Sequence, residues 1–143
     1  MYDKLSDMPL TLEQSLKLVT AAHAYAASSG LKVTAAVVDE GGLLKVLARM
    51  DGAPPLSAQI AEAKAVGAAL WQRDGDELAS VQESGGAFFE SVSRMVRLPI
   101  IPADGSLVIR DGDTVLGAVG VSGAHSDVDR ACAEAGVAAT LGG

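Results

Sequence analysis

The sequence predicts an α+β domain in which helices cover an antiparallel sheet, in the order α-β-β-α-(α)-β-β-α. Two pairs of short β-branched, apolar runs, each joined by turn residues rich in glycine, read as β-hairpins, and hairpins favour antiparallel pairing over parallel crossovers. Alanine-rich stretches with helical periodicity lie before, between and after them. A length of 143 residues suits a single domain over 1–143 with one core and no covalent staples.

Taken in order, Thr11-Leu-Glu-Gln14 has capping-box spacing. Apolar residues then recur at Leu12, Leu16, Val19, Ala22 and Ala26, predicting a helix from about residue 11 to Ser29 that Gly30 ends. Val33 to Val38 and Leu43 to Met50 flank the Asp39-Glu-Gly-Gly42 turn, with Asp39 itself read as turn chemistry. Asp51-Gly-Ala-Pro-Pro55 stops the second strand. Leu56 to about Gln72 is a long helix, and Asp76 to about Gln82 a shorter helical turn after a break at Gly75. Residues 84–104, with a glycine pair and two prolines, are expected to be irregular, with at most one turn of helix. Ser106 to Arg110 and Thr114 to Val121 form the second hairpin around Asp111-Gly-Asp113. A last helix runs from Asp127 to Leu141, begun at Ser126, whose spacing to Asp129 again suits an N-terminal box.

Composition excludes several classes of function. The hydrophobic content, 49%, comes from Ala, Val and Leu with few aromatics, so the core closes by close approach of small side chains. A net charge of −7, with no two basic residues adjacent, lacks the electrostatic footprint of nucleic-acid or anionic-membrane binding. The acidic, polar start carries no cationic leader and no long apolar run follows, so the chain is read as cytoplasmic. Cys132, with only His23 and His125, cannot complete a zinc site within one chain; no metal is expected, and Cys132 is read as a small buried helix residue.

No nucleophile–base pattern, phosphate loop or dinucleotide fingerprint occurs, so the candidate residues rest on subtler features. Lys64 stands on a nearly apolar helix face among Ile60, Ala61, Gly67, Ala68 and Trp71. It reads either as a desolvated amine that serves as base, anion partner or metal ligand, or as a lysine that snorkels to solvent. Gly120-Val-Ser-Gly123-Ala124 runs into a helix, where free N–H groups, with Ser122 as a further donor, suit a bound carboxylate; alternatively the glycines only permit a tight turn. His125 closes this elbow as a candidate haem-iron ligand or general acid–base group, whereas His23 lies on the apolar stripe of the first helix as a core or interface residue. Arg49, at a strand end, pairs with a nearby carboxylate or faces a substrate carboxylate; Arg97, with Arg94, either supplies further cations or is simply solvated.

Several ordered motifs together resemble the GlcG/HbpS family, often described as a haem-degrading domain, over about residues 9–140. They are Leu10-Thr-Leu-Glu-Gln, Ala36-Val-Val-Asp-Glu-Gly-Gly, Arg49-Met-Asp-Gly-Ala-Pro, Ala63-Lys-Ala and Gly117-Ala-Val-Gly-Val-Ser-Gly-Ala, with Asp129 and Ala133 following. The resemblance implies a profilin-like fold, a homo-oligomer from dimer to octamer, and a pocket for a small, anionic ligand. In some relatives that ligand is haem or iron; a related domain is attached to corrinoid adenosyltransferases, and other relatives belong to glycolate or aromatic pathways. The chain departs from the family pattern at Lys64-Ala-Val-Gly-Ala68, at Arg97-Leu-Pro-Ile100 and at Ala124-His125-Ser126-Asp127.

Three functions follow as expectations. The first is a binder of haem or another tetrapyrrole, with Lys64, His125 and the 120–124 elbow near the site and Arg49 or Arg97 facing propionates. The second is an enzyme of organic-acid or aromatic catabolism in which Lys64 or His125 moves a proton or activates water. The third is an accessory subunit without turnover.

Overall fold

A computed structural model describes residues 10–141; the acidic start over 1–9, which carries the reading of the N-terminus, and the final pair 142–143 lie outside the described residues. The elements are α1 (Leu12–Ser28), β1 (Thr34–Asp39), β2 (Leu44–Arg49), α2 (Ser57–Trp71), α3 (Gly75–Met95), β3 (Ser106–Asp111), β4 (Thr114–Ser122) and α4 (Ser126–Leu141). The strands form one antiparallel sheet in the order β2-β1-β4-β3, the expected α+β layout.

Alternation along the central strands builds two cores. Val33, Ala35 and Val37, with Val119 and Val121 of β4, face α1 and α4; Ala36, Val38 and Ala118 face α2. Glycines permit the close approach that a core without bulky side chains needs. A Cβ on Gly120 would overlap the Ala61 carbonyl oxygen of α2, and one on Gly136 would stand 2.8 Å from the Leu18 carbonyl oxygen of α1.

The capping box forms: the Thr11 N–H donates to Gln14 Oε1 at 2.9 Å and the Gln14 N–H to Thr11 Oγ1 at 3.1 Å. The buried stripe of α1 is rotated from the expected one. Leu12 and Leu16 are half exposed, while Ser15 and Leu18 are buried, because Leu18 is the side chain that seats against Gly136 of α4. The Asp39 turn is held as expected, with Asp39 Oδ1 accepting the N–H groups of Gly41 and Leu43 at 2.9 Å each.

The largest difference is α3. Where the sequence predicts a short turn and then irregular chain over 84–104, a 21-residue helix runs through the Gly85-Gly86 pair to Met95. The glycines cost about 1 kcal/mol each in a helix interior, and three contributions offset them. Leu78 is fully buried, Phe89 stacks on Trp71 at 5.1 Å, and Asp76 and Glu77 in the first turn with Arg94 in the last suit the helix dipole. Irregular chain begins only at Val96. Gly75 is no breaker either: it opens α3 where the backbone presses on the Ala103 carbonyl oxygen, and the break before it is the left-handed Gln72 (φ 54°).

Candidate functional site

Nearly every residue of α2 from Ala61 to Ala69 is buried, because the helix lies between the sheet on one side and α3 with the 98–101 segment on the other. Lys64 is therefore closed off. It is 6% exposed, and its Nζ donates to the Val121 carbonyl oxygen at 2.9 Å and to Asp129 Oδ2 at 3.3 Å. Gly105, at φ +105°, leaves room for this amine: a Cβ there would come within 2.8 Å of Nζ. The side chain neither snorkels nor stands free in a groove.

Asp129 completes the arrangement. Its Oδ1 accepts the Ala124 N–H at 3.0 Å, so the carboxylate expected at the elbow is the chain's own. Asp129, which the sequence suggests as the partner of Ser126 in a capping box, makes this bond to Ala124. Burial holds the Asp129 carboxyl above its ordinary value, opposed by the Lys64 charge and the Ala124 N–H. Sequence reasoning did not single out Asp129 as a site residue; its position five residues beyond Ala124, in the first turn of a helix, was the available signal.

The elbow backbone touches this pair, but no other candidate side chain hydrogen-bonds to it. Gly120 and Ser122 are buried strand residues of β4, and Gly123, at φ +135°, makes the turn against the Lys32 carbonyl oxygen. His125 is exposed, and its carbonyl oxygen accepts the Asp129 N–H at 2.9 Å. Arg49 is exposed and donates through Nη1 to the Ala53 carbonyl oxygen at 2.7 Å, closing the turn before α2. His23 Nε2 lies 3.0 Å from the Ala48 carbonyl oxygen, tying α1 to β2.

Open space lies elsewhere, on the outward face of α2. A groove of about 480 Å³ runs between Leu56, Gln59, Ile60, Glu62 and Ala63 of the α2 region and Leu98, Pro99 and Ile101 of the segment after α3. The Ile101 N–H donates to the Ala63 carbonyl oxygen at 3.2 Å and pins the two walls together. Its size is that of a small-molecule site, and its lining is apolar with polar groups at Gln59 and Glu62. Beside it, a groove of about 430 Å³ includes Arg97 in its lining. The signals for both were the apolar Leu98-Pro99-Ile100-Ile101 run outside any strand and the apolar positions at the start of α2.

Among the described residues no helix is long and apolar enough to cross a membrane. Asp74, Asp76 and Glu77 are the one carboxylate cluster among them close enough to share an ion, but Asp74 accepts the Val108 N–H and Asp76 pairs with Arg130 at 3.0 Å.

Comparison with known proteins agrees with this architecture. The family model described as haem degrading protein HbpS-like matches residues 10–138. Protein GlcG of Escherichia coli is 32% identical over 113 residues, which are 79% of this chain and 81% of that protein. Among solved structures, a double mutant of Streptomyces reticuli HbpS is 30% identical with a TM-score of 0.82, covering 96% of this chain and 91% of that one. A complex of PduOC with haem is 25% identical, also with a TM-score of 0.82, over 92% of this chain and 95% of that one. With a family match over residues 10–138, a relative 32% identical over most of both chains and a solved structure of the same fold at 30% identity, the chain belongs to the GlcG/HbpS family.

Proposed function

We propose that the protein binds haem or a related tetrapyrrole, with the apolar body of the ligand in the groove between α2 and the 98–101 segment. The observation that carries this reading is the groove itself: about 480 Å³, lined mainly by apolar side chains. A flat, largely apolar molecule gains most from such a surface, since burial of apolar area supplies the binding energy and a few polar groups set orientation. The family description and the haem complex of a relative add the ligand class. Lys64 is a structural residue in this reading, its protons committed to Val121 and Asp129. His125, exposed at the elbow before α4, does not line this groove and has no part in the reading.

Titration with haemin, followed by the Soret band, tests this. The reading expects saturable binding with one haemin per chain, weakened at least tenfold by Ile60→Asp, which puts a charge against the apolar wall. His125→Ala, outside the groove, is the control and should leave the band in place. Unsaturable uptake that Ile60→Asp does not change would remove the reading. A homo-oligomer, from dimer to octamer, belongs to the same proposal: Leu44 and Leu47 on the edge strand β2 are 44% and 40% exposed. Light scattering giving the mass of one chain would remove that part.

A further inference from the structure

The second groove adjoins the first, since Leu98 lines both. Val66, Leu70 and Val96 give it an apolar floor, and the glycines of the β1–β2 turn form its far wall. Arg97 is the one charged side chain on this lining, and it has no ion-pair partner among the described residues. Apart from Arg94 on α3, the other arginines are held. Arg49 and Arg110 donate to backbone carbonyl oxygens, and Arg130 pairs with Asp76, Asp104 and Glu134. The turn carries two acids, Asp39, with one carboxylate oxygen occupied by two N–H groups of its own loop, and the exposed Glu40, and neither pairs with Arg97. A free guanidinium beside an apolar floor is suited to a carboxylate, because its planar fork donates two parallel hydrogen bonds and the floor keeps some water away.

We infer that the Arg97 groove receives the carboxylate end of the ligand whose apolar body occupies the first groove, so that the protein selects apolar acids over their neutral esters. This rests on the binding reading above and names the feature of the ligand that it leaves open. Protoporphyrin IX, which carries propionic acid groups and no metal, and its dimethyl ester separate the two ends of the site without iron ligation. Fluorescence titration of the wild type should favour the free acid. Arg97→Gln should weaken the acid roughly fivefold to tenfold while ester binding stays within about twofold, and Arg97→Lys should fall between. Equal loss for acid and ester, or no loss for either, overturns the inference and leaves the groove reading standing. Failure of the groove reading has a different signature: the wild type takes up neither porphyrin, or Ile60→Asp changes neither, and the inference then falls with it. Melting curves of the variants confirm that an exposed arginine was changed without loss of fold.

Discussion

Lys64 Nζ stands 3.3 Å from Asp129 Oδ2, and both side chains are almost closed to solvent, so the centre of the molecule holds an ion pair joining α2, β4 and α4. Buried pairs contribute little net stability over apolar replacements, but removing one partner leaves an uncompensated charge.

That asymmetry gives the first prediction. Lys64→Met should cost about 3–5 kcal/mol in denaturant unfolding. Adding Asp129→Asn, which keeps an acceptor for the Ala124 N–H, should recover most of the loss. A double variant no more stable than Lys64→Met would show that the amine matters for its packing and not for its charge.

Two glycines should respond in opposite ways. Gly120→Ala drives a methyl into the Ala61 carbonyl oxygen and should destabilise by about 1–3 kcal/mol or more. Gly86→Ala meets nothing within 4 Å and sits inside the exposed run of α3, so it should stabilise by about 0.5–1 kcal/mol. Thermal melts of the pair check both signs.

Cys132 is buried between α1, α4 and the sheet, and burial, with the Asp129 charge adding, pushes its thiol from 9.0 up to about 11. The native protein should therefore resist iodoacetamide at mildly alkaline pH and label only on unfolding. Because the folded state favours the neutral thiol, this contribution to stability is fully present below 9.0 and is lost as pH rises toward about 11. Cys132→Ser should flatten that alkaline decline; an unchanged decline would contradict the assignment.

The fold was largely legible because its signals are local. The Thr11–Gln14 box, the Asp39 turn and the alternation from Val33 to Val38 each act within a few residues, and each appears in the structure. What the sequence hid depends on distant contacts. Gly85-Gly86 reads as a breaker, yet Phe89 stacking on Trp71 and Leu78 sinking into the core hold the helix through it. The site was legible only in part. The apolar neighbours of Lys64 left desolvation and snorkelling both open, and although local spacing draws attention to Asp129, nothing local ties it to a lysine 65 positions away. The grooves likewise need α2 and the 98–101 segment brought together, a juxtaposition that no spacing within either piece encodes.

The most direct test of the central claim is to locate the ligand by paramagnetic broadening. Amide signals of the labelled protein would be recorded with ferric haemin and with gallium protoporphyrin as the diamagnetic control. The account predicts that iron-dependent loss is strongest for residues at the start of α2, from Leu56 to Ala63, and from Leu98 to Ile101. Loss centred instead on α1 and the outer face of α4, with the α2 groove unaffected, would contradict it.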